Sequence, residues 1–235
     1  MRITSSDRES VPAPSAAAGG LFRRRSCWVP TWRGGLTLLL MFALAVALAA
    51  RRVHPFLAVT DPLPGGALVV EGWAPDYALQ AAMAEFQRHP SGRLYATGGP
   101  IEKGAPLIEY KTVAELSTAI LLKLGMVSNA VQAVPAPMTN QDRTYAAALA
   151  LKRWLLAHGG LPAQCNVVTM GAHARRTRLL FALALGPQVR VGVIAVPDRN
   201  YDADHWWRSS AGVRTMLSEL IAYGYARCLF RPPAS

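Results

Sequence analysis

Hydrophobic and polar positions alternate in a regular order after residue 66. Short apolar runs predict buried strands at residues 67–70, 93–97, 130–134, 165–170 and 189–196. Stretches with apolar positions three or four residues apart predict helices at residues 75–88, 112–124, 142–158, 174–185 and 212–230. Strands that alternate with helices indicate a mostly parallel sheet with right-handed crossovers. We therefore predict an α/β, Rossmann-like three-layer fold with a mostly parallel five-stranded sheet.

A long apolar run precedes this pattern. Gly34 to Ala50 contains no charged residue, and Arg51 and Arg52 follow it directly. The run approaches the ~20 residues that span a bilayer, so residues 34–52 predict one N-terminal transmembrane helix. Six arginines precede the run and two follow it. The positive-inside rule therefore predicts a single-pass protein of the plasma (inner) membrane whose soluble domain lies outside the cytoplasm.

Two other interpretations of the apolar run remain open. The sequences Ala45-Val46-Ala47 and Ala47-Leu48-Ala49 resemble signal-peptidase sites, which would make the run a cleaved signal peptide. The run could also be a buried helix. The long leader before it and the arginine pair after it favour an uncleaved anchor. On this interpretation residues 1–33 form a disordered basic segment, 53–66 a proline-rich linker and 67–230 the α/β domain.

Composition narrows the class of protein further. The chain has 235 residues, of which 51% are hydrophobic and 17% charged, so a sizeable core is expected. More than half of the formal net charge of +11 lies before residue 53, which indicates a membrane-facing flank. No basic stripe alternates with aromatic residues, so we predict no nucleic-acid partner. Three widely spaced cysteines indicate neither a disulfide framework nor a zinc site.

Candidate chemistry gathers where the predicted strands end. In a parallel sheet these ends meet at one edge, where α/β proteins bind ligands. The potential site residues at this edge are Glu71, Asp76, Gly98, Gly99, Asp142, Arg143, Thr144, His173 and Arg176. Arg175 and Arg178 add charge near His173, and a later loop contributes Asp198, Asp202 and His205. A strand-to-helix junction with three arginines predicts an anion site, although a solvated first turn of the helix explains the same residues.

Residue types suggest a division of roles at this edge. We expect Arg143, Arg176 and the Gly98-Gly99 backbone to hold an anion, while His173 and Glu71 are candidates for proton transfer. Asp142 could instead cap a helix. The chain has no P-loop, no dinucleotide-binding glycine motif and no nucleophile elbow, so the cofactor is unknown. The acidic residues match no standard metal-site spacing, and no metal is predicted.

Several of these motifs together resemble one family. The N-terminal anchor, the sequences VVEGW and TGG, the Asp142-Arg143-Thr144 helix start and VVTMGAHARR are similar to those of YdcF/SanA/ElyC-type proteins. In the last motif His173 lies three residues before Arg176. The resemblance covers about residues 67–225 and implies a Rossmann-like domain, frequently membrane-anchored. It also implies a role in cell-envelope or peptidoglycan biogenesis and barrier function, and one cytoplasmic relative is said to bind S-adenosylmethionine.

Three hypotheses about function follow. The first is an inner-membrane-anchored domain that binds an anionic, phosphorylated or lipid-linked envelope metabolite, with or without catalysis. The second is a non-catalytic binding or scaffold module whose edge charges are only solvated. The third is a cytoplasmic-facing domain that binds a nucleotide or S-adenosylmethionine, which requires the opposite topology. Protein partners are not indicated by the sequence.

Overall fold

The computed structural model describes residues 30–89, 92–102, 104–107 and 109–233. Most of the segment predicted to be disordered, residues 1–29, lies outside this range, as does Cys27. The end of that segment differs from the prediction, because Trp32 and Arg33 begin a helix.

Five parallel strands form a single sheet in the described part of the chain. They are β1 (Ala67–Glu71), β2 (Leu94–Gly98), β3 (Val131–Pro135), β4 (Gln164–Met170) and β5 (Arg190–Val196). Their order across the sheet is β3-β2-β1-β4-β5. The register pairs Glu71 of β1 with Thr97 of β2, and Val70 of β1 with Val168 of β4. The predicted α/β fold is therefore confirmed, and every predicted strand is present to within one or two residues at each end.

Helices cover both faces of the sheet. The domain helices are α2 (Asp76–Arg88), α3 (Val113–Lys123), α4 (Arg143–Ala157), α5 (Ala174–Leu185) and α6 (Ser210–Cys228). One core packs α2 and α3 against the side chains of Leu68, Val70 and Val168, while the other packs α4 and α5 against Val69, Val134 and Val167. Neighbouring strand positions therefore face opposite cores, as the two-residue strand period requires. Burial of both faces explains why β1 and β4 are almost continuously apolar.

The N-terminal helix, α1, covers Trp32–Leu57. It is long and apolar enough to cross a membrane, with a mean hydropathy of 2.0 over its most apolar window. The helix extends beyond the predicted anchor, even though Pro55 cannot donate a hydrogen bond to the carbonyl of Arg51. Leu57 is completely buried, and from Leu44 onward the chain belongs to the same compact unit as the α/β domain.

The segment predicted to be a linker is held tightly on the sheet. Asp61 pairs with Val193 of β5 in a short antiparallel bridge. The side chain of Asn166 on β4 accepts a hydrogen bond from Leu63 N at 2.8 Å and donates to Leu63 O and Gly65 O. The segment predicted to be a linker over 53–66 therefore contacts the sheet through residues 61–65. Residues 53–57 belong to α1, and the prolines and glycines of residues 58–66 permit these contacts without forming a regular element.

Candidate functional site

A cavity of about 590 Å³ opens at the carboxyl end of the sheet. It lies beside the ends of β1 and β4, between which the strand order reverses direction. Crossover connections leave these two strands in opposite directions, which opens a crevice at this point in doubly wound folds. The starts of α4 and α5 and one face of α6 complete the cavity wall. The strand order therefore explains where the cavity lies, and side chains of the neighbouring helices complete it.

Glu71, the last residue of β1, lies at the closed end of the cavity. Its side chain is only 3% exposed. Three hydroxyl groups donate to its carboxylate: Thr169 at a short distance, Thr177 at 3.0 Å and Thr144 at 3.4 Å. A buried carboxylate is costly unless hydrogen bonds and an opposite charge satisfy it, and Glu71 has both. Glu71 is therefore a buried carboxylate that is satisfied by three hydroxyl groups and by the neighbouring His173.

His173 bridges two carboxylates. Its Nδ1–H donates to Glu219 Oε1 at 2.9 Å, and its Nε2 lies 3.6 Å from Glu71 Oε2. Arg176 donates to the same Glu219 carboxylate through Nε at 2.9 Å and Nη2 at 3.0 Å. His173 and Arg176 therefore share the Glu219 carboxylate. Glu71, His173, Glu219 and Arg176 form one chain of alternating charge, which we call the inner network.

The inner network determines the protonation of its members. Burial lowers the pKa of His173, but the Glu71 charge and hydrogen bonds to both carboxylates outweigh this and raise it to about 9. Burial likewise raises the pKa of Glu219, yet hydrogen bonds from His173 and Arg176 bring it down to about 2. For Glu71 the pKa is also lowered, because the His173 charge exceeds the effect of burial. The raised pKa favours the imidazolium form of His173 at neutral pH, in which the ring can donate a proton.

Glycines allow two walls of the cavity to pack closely against neighbouring segments. A Cβ on Gly72, just after Glu71, would lie 2.8 Å from Val113 O and 2.9 Å from Thr97 O. A Cβ on Gly98 would lie 2.3 Å from Val113 Cγ2, whereas Gly99 has only Pro137 O, at 3.7 Å. Gly98 therefore permits close packing of β2 on α3, whereas a Cβ at Gly99 would make only an ordinary contact.

The start of α4 forms the outer wall. Asp142 occupies the N-cap position in a left-handed conformation, with φ of 50° and ψ of 41°, and its side chain makes no capping hydrogen bond. The predicted capping role of Asp142 is therefore not observed, and this uncommon backbone conformation is typical of functional sites. Arg143 points to Glu102, with Nη1 2.7 Å from Oε1, and both side chains are 67% exposed. Thr144 Oγ1 lies 3.4 Å from His173 Nε2, so it links α4 to the inner network.

Most predicted site residues meet in this cavity, and some do not. Glu71, Gly98, Gly99, Asp142, Arg143, Thr144, His173 and Arg176 all line it. Asp76 is exposed in the first turn of α2 and lies outside the lining, so its side chain is not part of the site. Asp202 pairs with His205 on the surface. Asp198 accepts hydrogen bonds from Asn200.

Two of the three arginines near His173 also face away from the cavity. Arg178 forms an ion pair with Asp61 at 2.8 Å and donates to Val191 O. Arg175 donates to Phe56 O and lies over the Phe56 ring. The helical period explains this outcome, because residues at consecutive or alternate positions of α5 point to different sides. Only Arg176, which follows His173 by three residues, shares its face.

Several residues that shape the site were not predicted from the sequence. Trp73 lies edge-on to the His173 ring at 5.1 Å, and Tyr225 and Glu102 line the cavity mouth. Thr169 and Thr177 were also missed. Their signal was present, since Thr169 is the next-to-last residue of β4 and Thr177 lies four residues after His173 on one helical face. Tyr225 and Glu102 come from distant segments that only the tertiary structure brings together.

Comparisons with known proteins add no identification. No model of a known protein family matches the chain, and no curated protein matches it. Among the residues that the structure describes, no group of three or more His, Cys, Asp or Glu side chains is arranged to hold a metal ion.

Proposed function

We propose that the protein is a membrane-anchored α/β domain of the cell envelope that binds an anionic, phosphorylated metabolite at the carboxyl end of its sheet. The observation that carries this proposal is the start of α4, which faces the cavity without a side-chain cap. The first N–H groups of a helix have no intrahelical acceptor and lie at the positive end of its dipole. They can donate to a phosphate oxygen.

Two arginines support the phosphate at this position. Arg143 contacts only an exposed glutamate, and such a surface pair contributes roughly 0–1 kcal/mol, so a ligand can displace it. Arg176 uses Nε and Nη2 for Glu219, and in the described part of the chain no partner is found for its Nη1. We expect Arg143 to move to the ligand and Arg176 to stay in the inner network.

The charges that line the cavity restrict a bound phosphate to one position. The lining carries four carboxylates, Glu71, Glu102, Asp142 and Glu219, against two arginines and the His173 imidazolium. Net charge therefore does not attract anions, and binding must arise from donors at one place. Asp142 suits a ligand hydroxyl, which can donate to its carboxylate. The preferred ligand thus carries a phosphate next to hydroxyl groups.

A catalytic role is a second candidate, favoured by the state of His173. As an imidazolium next to the hydroxyl of Thr144, His173 can donate a proton to an oxygen that leaves a phosphate. Glu71 and Glu219 would stabilise the charged ring before transfer. A general-base role for His173 is less compatible with its raised pKa of about 9.

The proposed role in envelope biogenesis rests on the anchor and on the resemblance to YdcF/SanA/ElyC-type proteins. The helix α1 supplies the length and apolar character of a membrane span. The arginine distribution favours a domain outside the cytoplasm. Membership of that family and a role in peptidoglycan or barrier function are proposals with the same basis.

Binding of glycerol 3-phosphate to the purified full chain tests the proposed site. Charge-assisted hydrogen bonds contribute roughly 1.5–3 kcal/mol each, so Arg143→Gln and Arg176→Gln should each weaken binding tenfold or more. Arg178→Gln is the matched control, because Arg178 lies on α5 two residues from Arg176 but outside the cavity. Equal affinity in wild type and both cavity variants would remove this site and favour a scaffold role.

The membrane topology of the chain tests the proposed location of the domain. A reporter that is active only outside the cytoplasm and one that fluoresces only inside it would each be fused after Ser235. We expect activity of the external reporter. Fluorescence of the internal one would overturn the orientation and favour binding of a cytoplasmic nucleotide or S-adenosylmethionine.

A further inference from the structure

The mouth of the cavity exposes apolar and aromatic surface next to charged side chains. Trp73 and Met138 line it with 48% and 75% of their surface exposed, and Tyr225 lines it from α6 with 46% exposed. Aromatic rings carry more apolar surface than other side chains, so a ligand that covers Trp73 gains binding energy. Aromatic walls with a few convergent polar groups are typical of sites for small molecules.

Trp73 lies close to the polar wall of the same cavity. Its ring meets the His173 ring edge-on, with 5.1 Å between the two centroids. His173 Nε2 in turn lies 3.4 Å from Thr144 Oγ1. Thr144 follows Asp142 by two residues at the start of α4. The exposed aromatic ring and the Asp142 carboxylate therefore belong to neighbouring walls, within reach of one ligand.

The carboxylates at the mouth select the chemistry of a ligand. Glu71 and Glu219 are occupied by the inner network. Asp142 makes no capping hydrogen bond, and in the described part of the chain the ion-pair partner of Glu102 is the exposed Arg143. An ionised carboxylate accepts hydrogen bonds and donates none. Asp142 and Glu102 therefore favour a ligand with several donors, which hydroxyl groups supply without adding charge.

Two other classes of ligand match these side chains less well. A nucleobase presents acceptor atoms as well as donors along its edge. Asn and Gln side chains offer both kinds of group, and none is among the described residues that line the cavity. A small metabolite without an apolar face, such as glycerol 3-phosphate, would leave Trp73 uncovered. The lining thus favours a ligand with hydroxyl groups at its edge and C–H groups on one face.

We propose that the mouth of the cavity binds the pyranose ring of a sugar, with the C–H face of the ring on Trp73 and its hydroxyl groups on Asp142 and on the pair of Glu102 and Arg143. The C–H groups of the ring contact the electron-rich face of the indole. The hydroxyl groups donate to the two carboxylates and accept from the guanidinium. This inference goes beyond the proposed function, because it requires neither a phosphate nor a contact with the membrane.

Saturation-transfer difference NMR on the purified full chain tests the sugar site. Lauryldimethylamine oxide is the suitable detergent, because its headgroup contains no sugar. The probes are the methyl pyranosides of glucose, galactose and mannose, with glycerol as a control that has hydroxyl groups but no ring, and with adenosine. We expect saturable binding of at least one pyranoside and none of glycerol. Absence of saturable binding by all three pyranosides, or tighter binding of adenosine, would overturn the inference.

Variants show whether a pyranoside binds at the mouth. Trp73→Ala should weaken binding about tenfold through loss of the aromatic face, while Trp73→Phe should retain most of the affinity. Asp142→Asn should also weaken binding about tenfold, because a hydrogen bond to a charged acceptor is lost. Trp32→Ala and Asp202→Asn are the matched controls, since both residues lie outside the lining of the cavity. Unchanged affinity in either Trp73→Ala or Asp142→Asn would contradict the proposed contacts.

Glycerol 3-phosphate, measured in the same way, separates this inference from the proposed function. Binding of glycerol 3-phosphate without binding of any pyranoside would overturn the sugar site and leave the phosphate site in place. Binding of a pyranoside without binding of glycerol 3-phosphate would support the sugar site and overturn the proposed phosphate.

Discussion

Replacement of His173 by glutamine should change how stability depends on pH. The folded-state pKa of His173 is about 9, above the ordinary value of 6.5. The folded protein therefore keeps the proton over a range in which the unfolded chain releases it. The resulting stabilisation is complete below pH 6.5 and is lost as the pH rises through 9.

The size of this effect follows from the two pKa values. A difference of one pKa unit corresponds to about 1.4 kcal/mol, so the charged His173 contributes about 3 kcal/mol to the free energy of unfolding. The lowered pKa of Glu219 arises from the same contacts, so it adds no separate contribution to the free energy of unfolding. Since the His173 ring is only 11% exposed, solvent screening reduces the value little.

Urea unfolding of the full chain in dodecyl maltoside, followed by tryptophan fluorescence, measures this contribution. Wild type and His173→Gln would be compared between pH 6 and pH 9.5, so that titrating groups outside the inner network cancel. The stability advantage of the wild type should shrink by about 3 kcal/mol across this range. A difference that stays constant with pH would show that His173 does not titrate as the inner network requires.

Three further predictions concern the cavity wall and the sheet edge. Gly98→Ala should destabilise the fold by about 1–3 kcal/mol because its Cβ would overlap Val113, while Gly99→Ala should leave the urea midpoint nearly unchanged. Glu102→Gln should strengthen glycerol 3-phosphate binding about two- to fivefold by releasing Arg143, and a weaker or equal affinity would contradict the proposed exchange. Asn166→Leu removes the hydrogen bonds that hold residues 63–65, so limited proteolysis should cleave this segment faster than in wild type, and equal rates would contradict the structural account.

The sheet could be predicted from the sequence because both of its faces are buried. Apolar runs such as residues 165–170 can satisfy their burial only in a covered parallel sheet, and the helices between them have clear periodicity. The strand ends then indicated Glu71, His173 and Thr144 without any contact information. The pattern could not show in which direction each arginine side chain points from the surface of α5. Arg175, Arg176 and Arg178 look equivalent in sequence, and only their angles around α5 separate them.

The linker and the cavity mouth illustrate the limits of local patterns. Residues 58–66 have the composition of a loop, and their stability comes from Asn166 and Val193, more than a hundred residues later. Met138, Tyr225 and Glu102 have ordinary local surroundings, and they become part of the site only through packing. Long-range contacts of this kind leave no periodic signal in the sequence.

The position of a phosphate mimic in a crystal of the full chain would test the central claim most directly. Tungstate has the shape of phosphate, and its anomalous scattering locates it without ambiguity. The account predicts a peak within hydrogen-bond distance of the first-turn N–H groups of α4 and of the Arg143 guanidinium, with Arg143 released from Glu102. A cavity without a tungstate peak at saturating concentration, with Arg143 still on Glu102, would contradict it.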